Sequence, residues 1–83
     1  MDNAWSYNFK YGKFIIKLKN GTYELFFEEL FGDVARYHNS ENLEEIWSFL
    51  LTIKNLKTKS SSRLVNMAEL GIPTELDEWE VIS

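Results

Sequence analysis

The sequence predicts an α+β fold: an antiparallel β-meander of three to four strands packed on one main α-helix, with a short second helix and a C-terminal tail. Aromatic and aliphatic residues alternate with polar ones over the first third of the chain, which is the period of a half-buried strand. The dipeptide Asn20-Gly21 interrupts this alternation and is well suited to a two-residue hairpin turn. Apolar residues recur at helical spacing after Asn42.

The hairpin around Asn20-Gly21 has a register that can be tested against its side chains. The pairs expected on one face are Leu18–Tyr23, Ile16–Leu25 and Phe14–Phe27, and those on the other are Lys17–Glu24, Ile15–Phe26 and Lys13–Glu28. One face is entirely apolar and the other holds two opposite-charge pairs, each worth roughly 0.2–1 kcal/mol. Residues 23–31 also carry apolar side chains at helical spacing, but a helix would produce this cross-strand match only by accident. The register therefore favours the hairpin.

The strand before this hairpin is predicted less sharply. A tight turn at Tyr11-Gly12 would place Phe9 opposite Phe14 and extend the apolar face. The same turn would set Lys10 against Lys13, an unfavourable pair of like charges. We therefore expect either this turn or a longer, bulged loop. A short fourth strand is expected at residues 33–37, which completes a meander over residues 1–38.

The main helix is predicted over residues 41–57. Asn42 followed by Glu45 has the spacing of a capping box, and Ser40 is an alternative N-cap. Residues 58–62 are polar and predict a linker. Residues 63–83 predict a short helix that ends at Gly71, then an acidic tail that forms an edge strand or an arm. The whole chain, residues 1–83, is expected to form a single domain.

The amino-acid composition excludes several kinds of protein. The chain has 83 residues, no cysteine and a net charge of −4. The absence of cysteine excludes disulfides and thiolate metal sites. The first residues lack a basic, apolar leader, and no apolar run reaches the roughly 20 residues that a membrane span needs. We therefore expect a soluble cytoplasmic protein that does not bind membranes.

Residues that could carry chemistry are few. His38 is the only histidine, and no cysteine stands beside it to complete a metal site. No glycine-rich phosphate loop, nucleophile motif or calcium-binding spacing is present. We therefore expect no enzymatic activity, no cofactor and no metal, and we interpret His38 as a loop residue before the helix.

Two surfaces remain as candidates for binding a partner. The first is the sheet face with Ile15 and Phe26 at its centre, and the second is the acidic tail around Trp79. The candidate residues are Ile15, Phe26, Lys13, Lys17 and Glu24 on the sheet, and Trp79, Asp77 and Glu78 in the tail. An apolar pair surrounded by charged residues is typical of a small protein interface.

The leading hypothesis is a small, acidic, non-catalytic protein-binding module, an inhibitor or regulator of the immunity or phage type that occludes a partner surface. The first alternative is a nucleic-acid-binding module that uses a lysine-bearing sheet face, namely Lys10, Lys13, Lys17 and Lys19. The second alternative is a self-associating structural protein, for example a homodimer.

Overall fold

The computed structural model describes residues 3–83 as a five-stranded antiparallel sheet with one main helix on one side. In chain order the elements are β1 (Asn3–Phe9), β2 (Gly12–Lys19), β3 (Thr22–Glu29), β4 (Val34–Ser40), α1 (Leu43–Thr52), β5 (Asn55–Lys57), β6 (Ser62–Leu64), α2 (Met67–Leu70), a 3₁₀ turn (Leu76–Glu78) and β7 (Glu80–Val81). The strand order is β4-β3-β2-β1-β7, and β5 and β6 form a separate two-stranded sheet. The predicted α+β class, meander, main helix and short second helix are confirmed.

The β2–β3 hairpin has the predicted register at every pair from Lys13–Glu28 to Lys19–Thr22. Asn20 and Gly21 both have positive φ values, 51° and 77°. A two-residue turn of this kind requires positive φ at both positions, which asparagine and glycine tolerate better than other residues. The Asn20-Gly21 dipeptide and the alternation on either side of it were therefore sufficient to predict this hairpin.

The β1–β2 hairpin differs from the Tyr11-Gly12 turn considered above. Its loop is Lys10-Tyr11, so that Phe9 pairs with Gly12 and Asn8, not Lys10, lies opposite Lys13. Gly12 has φ 145°, and a Cβ there would overlap the carbonyl oxygen of Glu28. The position beside β3 therefore requires glycine inside the strand. Because the register moves by an even number of residues, every side chain keeps its predicted face.

The main helix begins as predicted but ends earlier. The Asn42 side chain accepts a hydrogen bond from the Glu44 N–H at 2.9 Å and caps the first turn. The predicted end at residue 57 is wrong, because α1 stops at Thr52 and Ile53 is extended. The chain then enters β5, which is held by the Tyr37 hydroxyl. That hydroxyl donates to the Lys57 carbonyl at 2.8 Å and accepts from its N–H at 2.6 Å.

The predicted linker over residues 58–62 is the turn of the β5–β6 hairpin, with Ser62 already in β6. The Thr58 N–H donates to the Ser61 carbonyl at 2.9 Å and closes this turn. α2 ends at Gly71, whose φ of 63° confirms the predicted C-cap. Of the two alternatives for the tail, the edge strand is observed, because β7 pairs with β1.

The core lies between the sheet and α1, with α2 and the tail closing its sides. Its buried members are Phe14, Ile16, Leu25, Phe27, Ile46, Trp47, Leu50, Ile53, Leu56, Met67, Ile72 and Trp79. Ile53 and Leu56, which were assigned to the helix, reach the same core from the segment that follows it. The apolar pattern of this segment was therefore recognised correctly, but its backbone conformation was not.

Candidate functional site: the open face of the sheet

Within residues 3–83, no helix or second sheet covers the side of the sheet that is turned away from α1, and we call this side the open face. Alternation along each strand places its residues opposite those of the core. The residues of β1 to β4 on the open face include Ala4, Ser6, Asn8, Lys13, Ile15, Lys17, Glu24, Phe26, Glu28, Val34 and Arg36. Charged and apolar side chains are mixed on this face, as on many protein interfaces.

Most charges near the centre of the open face are already balanced. Lys13 Nζ lies 3.7 Å from Glu28 Oε2, an ion pair that the hairpin register predicted. Glu24 faces Lys17 across the strands, as expected, but its ion pair is with Arg36 Nη1 at 3.0 Å. Lys17 Nζ lies instead 4.9 Å from the centre of the Phe26 ring. The face is therefore close to neutral at its centre.

Ile15 and Phe26 contribute unequally to this face. Ile15 is only 8% exposed, whereas Phe26 is half-buried. Of the predicted pair, only Phe26 offers substantial surface to a partner. It lines a depression of about 440 Å³ together with Ala4, Lys17 and Ile82, among others.

The tip of the β3–β4 hairpin is a feature that the sequence analysis missed. Leu30 is 56% exposed and Phe31 is 99% exposed, and Val34 beside them is also exposed. Phe31 has φ 61°, the left-handed region that bulky residues avoid. The available signal was a turn built from Leu30, Phe31 and Gly32, where polar turn residues are usual.

This hairpin tip is continuous with the open face. Leu30 and Phe31 line a second depression, of about 290 Å³, together with Asn8, Lys13 and Glu28. The Lys13–Glu28 ion pair therefore lies between the half-buried Phe26 and the exposed Phe31 along the hairpin. The open face thus combines apolar protrusions, shallow depressions and charged residues in one surface.

The residues of the predicted tail site lie in different environments, with Trp79 in the core and Asp77 and Glu78 on the surface. Trp79 is buried, with its ring 5.9 Å from that of Tyr7 and 5.6 Å from that of Trp47. Its indole N–H donates to the Pro73 carbonyl at 2.8 Å. Trp79 therefore stabilises the core and does not present its ring to a partner.

The acidic residues of the tail stay on the surface. Asp77 and Glu78 are exposed in the 3₁₀ turn, and with Glu75 they form a cluster of carboxylates within 4.8 Å of one another. They line neither depression of the open face. The two candidate surfaces of the sequence analysis are therefore separate.

His38 lies in β4, not in a loop before the helix. Its ring stacks on that of Phe49 of α1, with centroids 4.5 Å apart and planes 8° from parallel. The contact joins the sheet edge to the helix. Packing accounts for this residue without any chemistry.

No family model, curated protein or solved structure matches this chain. Among the described residues 3–83, every helix is too short or too polar to span a bilayer. The function of the open face must therefore be argued from its own geometry.

Proposed function

We propose that this chain is a non-catalytic protein-binding module that occludes a partner surface with its open face, using Phe31 as the central apolar contact. The main support for the proposal is the exposure and the backbone conformation of Phe31 in the free chain. Its side chain is 99% exposed and its backbone has φ 61°. Backbone strain of this kind costs of order 1–3 kcal/mol and is concentrated at functional sites.

Burial in a partner would offset that cost. Removing a phenylalanine side chain from water stabilises a complex by about 1.5–3 kcal/mol, and aromatic residues, phenylalanine included, are enriched at protein interfaces. Leu30 and Val34 extend the apolar area beside Phe31, and the Lys13–Glu28 pair borders it. An apolar centre with a polar border is the usual arrangement of a protein interface.

The charges of the open face favour a protein over a nucleic acid. Binding to phosphates requires cations that are free to replace counterions, but Lys13 is paired with Glu28 and Arg36 with Glu24. Lys17 and Lys19 remain, beside acidic neighbours on the same hairpin. A regulator or inhibitor of the immunity or phage type is the more specific form of this proposal.

The test is a pull-down from native lysate, with and without nuclease, using the wild-type chain and two variants. Phe31→Asn removes the aromatic ring and places in the turn a residue that tolerates positive φ. Leu64→Asn is the matched control, because Leu64 is an exposed apolar residue of β6 outside the open face. Mass spectrometry identifies the partner, and titration with that purified partner gives the affinity.

We expect one protein to be recovered in stoichiometric amount from the wild type and from Leu64→Asn, in nuclease-treated lysate as well. Phe31→Asn should weaken the purified complex by about thirtyfold, as expected for a residue worth 2 kcal/mol. Equal binding by the two variants would contradict the role of Phe31. Recovery that disappears with nuclease would support the nucleic-acid alternative. A mass that rises with concentration and falls in Phe31→Asn would identify the partner as a second copy of this chain.

A further inference from the structure

Two cations lie close to the ring of Tyr11, in the turn that follows β1. Lys10 Nζ is 5.0 Å and Arg63 Cζ is 4.3 Å from the centre of the Tyr11 ring. The two positive charges are therefore at most about 9 Å apart, close to the Debye length of physiological salt. Lys10 and Tyr11 form the β1–β2 turn and Arg63 belongs to β6, so the tertiary fold brings them together.

These two cations lack the compensation found on the open face. Within residues 3–83, the ion pairs are Lys13–Glu28 and Arg36–Glu24. Neither Lys10 nor Arg63 has a carboxylate oxygen within 4.0 Å among these residues. The aromatic ring offsets part of the repulsion through cation–π contacts, but an anion near both charges would offset it more fully.

A cleft is present beside them. It has a volume of about 260 Å³ and lies between the β1–β2 turn, the end of β3 and the β5–β6 hairpin. Ser61 and Ser62 contribute hydroxyl groups to its wall, and Leu56 contributes apolar surface. Each hydroxyl already donates its one proton, Ser61 to the Glu29 carboxylate and Ser62 to Asn55 Oδ1 at 2.8 Å, so attraction for an anion comes from Lys10 and Arg63. The volume is below the range of about 300–1,000 Å³ typical of drug-sized ligands, so the cleft suits a small molecule.

Glu29 also lines this cleft, and its charge opposes an anion. Its carboxylate accepts hydrogen bonds from the Ser61 hydroxyl and, at 3.4 Å, from the Ser60 hydroxyl. The serine turn thus holds Glu29 on the wall of the cleft. The negative charge of Glu29 lowers the affinity of the cleft for an anion. Removal of this charge should therefore tighten anion binding.

We infer that this cleft binds the phosphate group of a small phosphate monoester through Lys10 and Arg63, which both line it. A phosphate monoester carries about −1.5 to −2 charge at neutral pH and three acceptor oxygens, which matches two unpaired cations better than a single carboxylate does. The Arg63 guanidinium can donate two parallel hydrogen bonds to phosphate oxygens. Lys10 acts as a mobile point charge. The cleft shares Glu29 and Leu30 with the depression at the hairpin tip, but Lys10 and Arg63 line neither depression of the open face.

The experiment follows backbone amide chemical shifts of the full chain during titration with inorganic phosphate and with phenyl phosphate, at constant ionic strength. We expect saturable shifts for residues 10–12 and 60–63 with either probe. Tighter binding of phenyl phosphate would show that the ligand is a monoester, as inferred. Equal affinities would assign the site to the phosphate group alone and overturn the monoester. The absence of a saturable shift with both probes would overturn the whole inference.

Three variants and a matched control separate a specific site from general attraction. Lys10→Ala and Arg63→Ala should each weaken binding by about tenfold, as expected for loss of a charge-assisted hydrogen bond. Glu29→Gln should tighten it. Lys19→Ala removes the same charge as Lys10→Ala, at an exposed position of β2 that does not line the cleft, and should leave the affinity unchanged.

Equal weakening by Lys10→Ala and Lys19→Ala would reduce the effect to net charge and contradict the site. Spectra of the free variants that superimpose on the wild type outside the substituted positions establish that the fold is retained. Phe31→Asn should leave phosphate affinity unchanged, so failure of the protein-binding proposal and failure of this one are distinguishable.

Discussion

Phe26 and Phe27 are neighbours in β3, but they lie on opposite faces of the same sheet. Phe27 is 2% exposed and contacts the rings of Phe14 and Tyr37 beneath α1. Phe26 is half-buried, and its ring lies beneath the Lys17 ammonium group at 4.9 Å. The covered face is stabilised by the area that a second layer removes from water, whereas the open face relies on pairwise contacts among its own side chains.

This difference shows where the sheet can support binding. Residues of the covered face cannot change without loss of packing, because interiors are close-packed. Apart from the buried Ala4, Ser6 and Ile15, residues of the open face are partly or fully exposed and should stabilise the fold less, so that substitutions there can change partner contacts at low cost.

Phe27→Ala should lower the free energy of unfolding by about 3–5 kcal/mol, because it leaves a cavity in the core. Phe26→Ala deletes the same side chain from the open face and should cost about 1 kcal/mol. Urea unfolding of both variants measures the difference, and an unchanged slope against denaturant shows that the comparison is valid. Similar costs for the two substitutions would mean that the open face is packed as tightly as the covered one.

Tyr37→Phe tests how much the hydrogen bonds between the Tyr37 hydroxyl and β5 contribute to stability. The Tyr37 hydroxyl makes two hydrogen bonds to the Lys57 backbone, so its loss should cost about 1–2 kcal/mol at neutral pH. Tyr23→Phe is the control, since the Tyr23 hydroxyl makes no hydrogen bond within residues 3–83. A cost equal to that of the control would show that the β5–β6 hairpin does not depend on this hydroxyl.

Because of Tyr37, the free energy of unfolding should also depend on pH. Burial, the largest cause, together with the charge of Glu29, raises the pKa of Tyr37 above its ordinary value of 10.0, although the Lys57 backbone bond acts in the opposite direction. A raised pKa in the folded state means that the contribution to stability is complete below pH 10.0 and is lost as the pH rises through the folded-state pKa. Above pH 10.0 the wild type should therefore lose stability more steeply than Tyr37→Phe, as measured by urea unfolding.

Phe31→Asn should have the smallest effect on stability, and its sign should be positive. Asparagine adopts the left-handed conformation at lower cost than phenylalanine, so the variant should gain about 0.5–1 kcal/mol. Leu64→Asn, at an exposed strand position, should show no such gain. A loss of stability in Phe31→Asn would mean that the ring packs within the free chain, which would remove the main support for the proposed interface.

The elements that were predicted correctly depend on nearby residues. Asn20-Gly21 and the alternation on either side determined the β2–β3 register, and Asn42 and Gly71 marked one end of each helix. The site was predicted in part: Lys13, Lys17, Glu24 and Phe26 do share the open face. Ile15 and Trp79 were taken as surface residues but are buried, because burial by residues that are distant in the sequence does not show in a local pattern.

Strand periodicity in the sequence is sufficient to assign each side chain to one of the two faces of the sheet, whatever the rest of the chain does. The end of α1 at Thr52 does not show in the local pattern, because the following segment forms β5, whose Lys57 backbone bonds to the hydroxyl of Tyr37, twenty residues away. The approach of Arg63 to the turn of Lys10 and Tyr11 depends equally on distant elements. Local patterns carry backbone preferences, whereas exposure and charge proximity arise only when separated segments pack together.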